Sequence, residues 1–542
     1  MPTAHGWPAP RPAPKPDAST GSTNGVTNAQ FDVVIVGGGH NGLVAAGYLA
    51  RAGRRVLLLE RLDHVGGAAV SAHAFDGIDA RLSRYSYLVS LLPARILKDL
   101  GAHIQRVRRR NSSYTPDPGS AGRTGLLIGP QSTFGAIGAA VDEQGFFDFY
   151  RQCRLITEPL WATLTEPLRS RTAARRLVSS RSAEADAAWE ALICSPIGHS
   201  ITAAVRSDLV RGVMATDALI GTFARADEES LAQNVCFLYH LLGGGTGDWD
   251  VPVGGMGAVS AALAAAAAGH GAEIATGSDV YAITPDGEVR YRRGGEDRVV
   301  HARVVLANVT PTVLARLTGS QEPDLAQGAQ VKVNLMLRRL PHLRDDTVTS
   351  EQAFGGTFHI NEGYRQLGAA FDRAEAGDIP DPLPCEVYCH SLADPTILSE
   401  GLRTSGAHTL TVFGLHTPHR LVDKDPDRMR ECLTSAVLDS LNSVLAEPIQ
   451  DVLMRDSAGR LCIETKTTAD LEQALAMTSG NIFHGALRWP FAEDDAPLAT
   501  SAQRWGVATE HDRILLCGSG SRRGGAVSGI GGHNAAMAIL EG

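Results

Sequence analysis

Two stretches of the chain repeat one hydrophobic pattern. Residues 31–36 (FDVVIV) are an apolar, β-branched run closed by Gly37-Gly38-Gly39, and residues 514–517 (ILLC) are a shorter run closed by Gly518-Ser519-Gly520. An apolar run of about four to eight residues bounded by glycine predicts a strand covered on both faces, as in a parallel sheet. Small residues at helical spacing follow each run, predicting helices over 41–51 and over Ala526–Leu540. A second strand is expected over Arg55–Leu59, ending on Glu60. Further on, Gly254, Gly255, Met256 and Gly257 open a helix whose Ala264–Ala268 run shows only a good helix former. It leads to a strand in "AEIATGSDVYAI" and another in "RVVLANVTP". Residues 101–249 read as helix-rich. Residues 331–479 carry strand alternation in "QVKVNLMLRR", "CEVYCHSL" and "AHTLTVFGLH".

This order predicts an α/β fold. The likeness of these pieces to a known family, given below with its motifs, implies a discontinuous nucleotide-binding domain from residues 31–100, 250–330 and 480–542, with inserts 101–249 and 331–479 making an α+β substrate domain. At 542 residues the chain is long enough for several units of about 150 residues. Residues 1–30 are rich in Pro, Ala, Ser, Thr and Gly and lack the apolar core of a secretion signal, so they read as a disordered leader. The net charge of −9 argues against nucleic acid as the main partner. The eight cysteines form no CxxC pattern, which disfavours zinc and dithiol chemistry and fits a cytoplasmic setting with buried thiols such as Cys385 and Cys389. The arginine-rich stretch "LRSRTAARRLVSSRS" reads as a solvated helix face, with peripheral contact to an anionic membrane as its alternative.

The chemistry concentrates in the first loop. Gly37, Gly39 and Gly42 occupy the G-x-G-x-x-G positions between strand and helix. They serve the tight turn, the approach of backbone to a pyrophosphate, and the close packing of helix on strand. His40 and Asn41 read as phosphate-end or packing residues at the start of a helix whose amides attract anions. Glu60 ends the second strand, where a carboxylate accepts ribose hydroxyls and repels a 2′-phosphate, so NADP is not the expected nucleotide.

The continuation "RLDHVGGAAVS" places Arg61 ahead of Gly66, Gly67 and Ala68 and resembles the FAD signature of glutathione-reductase-type flavoproteins, above all the amine oxidase and phytoene desaturase branch. With "GGGHNGLVAAGYLARAG", "SRYSYLVSLL", "GNIFHG" and "LCGSGSRRGGAVSGIGGHNAA", residues 31–542 are similar to the phytoene-desaturase-like oxidoreductases, and among them to the subgroup called pyridine nucleotide-disulfide oxidoreductase domain-containing protein 2. The resemblance implies FAD as cofactor, with the backbone at Val280 meeting adenine. It also implies that the closing strand and helix return to the first unit, so Gly518, Ser519, Gly525, Ala526 and Val527 face the flavin. A second dinucleotide site is excluded by spacing: Gly518, Gly520 and Gly524 read G-x-G-x-x-x-G, and too little chain follows for another strand with an acidic residue. Many relatives carry an acidic residue where Cys517-Gly518-Ser519 stands here, and no CxxxxC redox pair accompanies the first loop, so disulfide reduction is not expected.

The expected activity is that of an FAD-dependent dehydrogenase, desaturase or oxidase. It takes hydride from a C–H bond of a small lipophilic substrate onto flavin N5 and passes electrons to oxygen, a quinone or another carrier. A flavin-dependent isomerase without net redox and a flavoprotein with a binding or regulatory role stand as alternatives. Candidate proton-handling residues are His484, Tyr85 and Arg84, followed by His359, His390 and His416 on expected strands. No metal site is expected.

Overall fold

The computed structural model describes residues 30–542; residues 1–29 of the expected leader lie outside the described residues. The first apolar run is the strand Gln30–Val36, flanked in parallel by Val56–Leu59 and by the second half of the long strand Glu296–Ala307. Val33, Val34 and Ile35 are at most 1% exposed, because helices cover one face and apolar strand residues the other. Glu273–Ala275 extends this seven-stranded sheet beyond Val56–Leu59. Along the other edge of Glu296–Ala307 lie Glu288–Arg293, antiparallel, and the C-terminal strand Ile514–Leu516, parallel. The stretch "AEIATGSDVYAI" is two strands rather than one. Gly277, at φ +63°, turns the chain between Glu273–Ala275 and Ser278–Ile283, which then pair with different neighbours.

Three helices with small-residue faces cover the sheet: His40–Arg51, Met256–Gly269 and Ile530–Glu541. Contact is closest where Gly532 meets the first helix, since a Cβ there would stand 1.9 Å from the Asn41 carbonyl oxygen. The last helix begins at Ile530, not at Ala526 as expected. Ala526 (φ +59°) and Gly529 (φ +70°) are left-handed, a conformation no helix interior accepts, so residues 526–529 form a turn ahead of it.

The second sheet also has seven strands, in the order Ile463–Lys466, Val331–Leu337, His408–Gly414, Cys385–Tyr388, Thr357–Ile360, Ser113–Pro116 and Gly125–Ile128. Its last two strands come from the segment expected to be helix-rich. His390 opens a short helix (His390–Ala393), and His416 lies beyond the end of its strand, so neither sits on a strand as expected. The helices between 143 and 242 form a further core around Trp189, Phe149 and Ile156. Arg523, 2% exposed, ties that core to the C-terminal loop by donating to the carbonyls of Thr163 (2.8 Å), Glu166 (2.7 Å) and Trp505 (3.3 Å). Three carbonyl partners let a guanidinium stay buried without a carboxylate.

Arg171 and Glu493 form a two-point ion pair, and Arg175 binds Asp186 and Glu190, so the arginine-rich helix Arg171–Ser179 spends two of its charges within the protein. Among the described residues no helix is long and apolar enough to cross a membrane. All eight cysteines are free thiols, and burial pushes those of Cys385 and Cys389 above their ordinary range.

Candidate functional site

The first glycine loop is built from backbone that tolerates no side chain. Gly37 has φ +103°, and a Cβ on Gly42 would stand 2.4 Å from the Gly37 carbonyl oxygen. Gly66 and Gly67, at φ +124° and +56°, bring a second turn against the first: Gly66 N–H donates to Gly38 O at 2.8 Å, and a Cβ on Gly67 would lie 3.3 Å from Gly39 Cα. Two backbone turns thus face one another with nothing bulkier than hydrogen between them. Asn308, just past the strand Glu296–Ala307, clamps the loop from the other side, its amide donating to Gly37 O (2.9 Å) and Gly39 O (3.4 Å).

Glu60 lies beside the loop, at the end of the strand Val56–Leu59. Its carboxylate accepts from Gly38 N–H (2.6 Å) and Leu62 N–H (2.8 Å), which fixes its orientation, and each oxygen retains a lone pair for a hydroxyl donor. At the other end of the loop, Asn41 Oδ1 accepts from Gly532 N–H at 3.4 Å while its buried Nδ2 has no partner among the described residues. A buried donor left over beside such a cradle calls for an acceptor in it. The chain's two ends therefore meet in one site. His40 Nε2 also bonds the Ala526 carbonyl at 3.2 Å, joining the first loop to the last.

One cavity of about 810 Å³ runs from this cradle into the space between the two sheets, near the upper end of the roughly 300–1,000 Å³ of small-molecule sites. Gly37, Gly39, Asn41, Glu60, Arg61, Gly67, Ala68, Val280, Ser519, Gly525, Ala526 and Val527 line it, as do Tyr85 and His484. Gly42, Gly66 and Gly518 stand behind its wall and shape the backbone; a Cβ on Gly518 would meet Asn308 Oδ1 at 3.0 Å. Arg84 does not line the cavity. Its guanidinium is committed to Glu464 (2.7 Å), so it holds sheet to loop rather than meeting a substrate, which corrects the expected catalytic role.

Burial sets the proton chemistry of the remaining groups. It brings the His484 imidazole down to about 4, helped by nearby His40, and brings His40 itself down to about 4. Both are neutral at pH 7 and poor proton acceptors there, so His484 shapes the cavity, at φ +63°, better than it serves as base. Tyr85 is pushed upward by burial and stays a neutral phenol. One group matched to proton exchange near neutrality is Lys332, which the sequence did not single out. Its buried amine lines the cavity, donates to Ser83 O at 2.7 Å, lies 5.4 Å from the Phe413 ring centroid, and is brought down by burial to about 7.

Of the secondary histidines, His390 is buried and brought down to about 4, and His416 is likewise buried with neither ring nitrogen paired. His359 is different: it lines the cavity, pairs across the second sheet with Glu386, which also lines it, and bonds Glu362 at 2.7 Å.

A family profile described as an NAD(P)-binding Rossmann-like domain matches residues 35–106, the segment that holds both glycine turns and Glu60. An uncharacterised protein of Mycobacterium tuberculosis (strain ATCC 25618 / H37Rv) is 65% identical over 94% of this chain and 97% of its own. Pyridine nucleotide-disulfide oxidoreductase domain-containing protein 2 of Mus musculus is 30% identical over 96% of this chain and 94% of its own. Among solved structures, wild-type putrescine oxidase bound to putrescine is similar in fold, with a TM-score of 0.55 over 95% of this chain and all of that one, at 17% identity. The full-length match to the mouse protein, carried by a Rossmann cradle built from both ends of the polypeptide, places this chain in the pyridine nucleotide-disulfide oxidoreductase domain-containing protein 2 family of oxidoreductases.

Proposed function

We propose that this chain is an FAD-dependent oxidoreductase of the phytoene-desaturase-like type that removes hydride from a C–H bond of an apolar substrate. The observation that carries this reading is one cavity lined both by the dinucleotide cradle and by apolar side chains that include Phe146, Phe147, Tyr150, Ile220, Leu241 and Phe483. The residues fit FAD: Glu60 offers acceptors for ribose, Gly37, Gly39 and Gly67 line the cavity with bare backbone that a pyrophosphate can approach, and Asn41 Nδ2 supplies a donor in need of a partner. Bound FAD supplies a hydride acceptor at flavin N5. The chain supplies the rest. The aromatic and aliphatic walls bind an apolar molecule and exclude water from it. The Lys332 amine, tuned near neutrality, takes or returns a proton at a substrate atom within the cavity. His40 and His484, neutral and buried, add no charge to the cofactor end.

Anaerobic mixing of the flavin-loaded protein with a panel of apolar alcohols, amines and alkenes tests the proposal. A productive member should bleach the visible flavin band and give one equivalent of oxidised product per flavin. A product of unchanged oxidation level, formed with catalytic reductant alone, would contradict hydride removal as the net reaction.

A further inference from the structure

In the wall that the second sheet gives the cavity, His359 and Glu386 are direct cross-strand partners on the antiparallel strands Thr357–Ile360 and Cys385–Tyr388, so their side chains project from the same face. Asn361, at φ +59°, turns the chain back so that Glu362 joins them. One donor atom from each residue lies within 4.8 Å of the other two. Around an ion with bonds of about 2.0–2.2 Å, donors stand up to about 4.4 Å apart, so closing by a few tenths of an ångström would seat one. Glu386 is already oriented from behind: Tyr388 OH donates to Oε2 at 2.7 Å and Thr216 OH to Oε1 at 3.2 Å. Such outer partners commonly orient metal-ligating carboxylates.

Two observations separate this cluster from an ordinary buried ion pair. First, two carboxylates face one imidazole, and neither has a Lys or Arg partner among the described residues. Second, Glu362 is 0% exposed, and its Oε1 has no hydrogen-bond partner among the described residues. A buried carboxylate oxygen without a donor is costly. Glu362 does not line the cavity, so the ammonium group of a substrate cannot reach it, whereas a single ion held by His359 and Glu386 can.

We propose that His359, Glu362 and Glu386 bind one divalent first-row metal ion of the Mn²⁺, Fe²⁺ or Zn²⁺ class, in the wall that the second sheet gives the cavity. One imidazole with two carboxylates is a donor set these ions share. His359 and Glu386 face the cavity, so the ion keeps open positions toward it and can take an oxygen or nitrogen atom of a bound molecule.

Metal content tests this independently of the flavin and of any turnover. Tag-free protein is equilibrated in turn with excess Mn²⁺, Fe²⁺ (anaerobically) and Zn²⁺, freed of loose ions on a desalting column, and analysed by mass spectrometry of the elements. One equivalent of at least one ion per chain is expected, falling at least tenfold in both Glu362→Gln and Glu386→Gln, with flavin content unchanged. Less than a tenth of an equivalent of every ion in the wild type would overturn the site and leave a proton-sharing carboxylate pair in its place. Retention of the ion by either variant would overturn the assignment of ligands.

Discussion

Gly532→Ala should cost the protein about 3 kcal/mol of stability, the upper part of the range for overpacking, and sharply weaken its hold on FAD. The added methyl would stand 1.9 Å from the Asn41 carbonyl oxygen, 2.8 Å from its carbon and 3.0 Å from Ala45 N. All three are backbone atoms of the first helix and cannot swing aside. The helices must separate, and the glycine loop that opens the first helix moves with it. Gly269→Ala is the matched control, since it ends an alanine-rich helix with nothing within 4 Å of its Cβ. There the change should be neutral or stabilise by up to about 1 kcal/mol through helix propensity. Denaturant unfolding and apoprotein titration with FAD on both variants check this. Equal effects would mean that the packing of last helix on first is not what holds the site.

Lys332→Met should leave FAD bound and slow substrate-dependent flavin reduction by about 10²–10⁴-fold, the usual worth of a positioned proton donor or acceptor. In the wild type, a neutral amine acting as proton acceptor makes the rate rise with pH through about 7, and the variant should show no such rise. Stability carries an independent signature. The folded amine is brought from 10.5 down to about 7, so between those values the unfolded chain binds the extra proton. The wild type therefore gains stability as pH rises across that window. The variant lacks this term, so its Tm relative to wild type should be most favourable at or below pH 7 and become less so toward pH 10.5. Parallel Tm profiles for the two proteins would show that Lys332 is not desolvated as the fold implies.

The cradle was legible in the sequence because its chemistry acts on local backbone. A phosphate-binding turn between strand and helix demands glycine at fixed spacing, and a ribose carboxylate demands an acid at the end of the second strand, so Gly37, Gly39, Gly42 and Glu60 announce themselves. The end of the chain was harder. "GGAVSGIGG" mixes residues that suit a turn with residues that suit a helix, and only the left-handed Ala526 and Gly529 fix where one becomes the other. Asn308 and Lys332 lie inside segments correctly read as strand and strand end, yet a single polar residue on a strand carries no periodic signal. Their importance comes from burial and from partners hundreds of residues away, Gly37 and Ser83. The His359–Glu386 pair depends on register between two strands, which no local pattern encodes. The strands Ser113–Pro116 and Gly125–Ile128 escaped notice because a short hairpin inside a helix-rich segment is stabilised by the sheet it joins rather than by its own sequence. Arg84 misled for the opposite reason: its motif is distinctive, but the charge is spent on Glu464.

In our proposal the two glycine-rich ends of the chain build one site, and this site holds FAD. The direct test is heat release of the cofactor from purified protein, with separation and quantification of every nucleotide set free. One FAD per chain and no NAD or NADP is the expected result, with NAD(P)H titration of the holoprotein showing no second dinucleotide site. Release of FMN, or saturable binding of NAD(P)H beside a retained FAD, would contradict it.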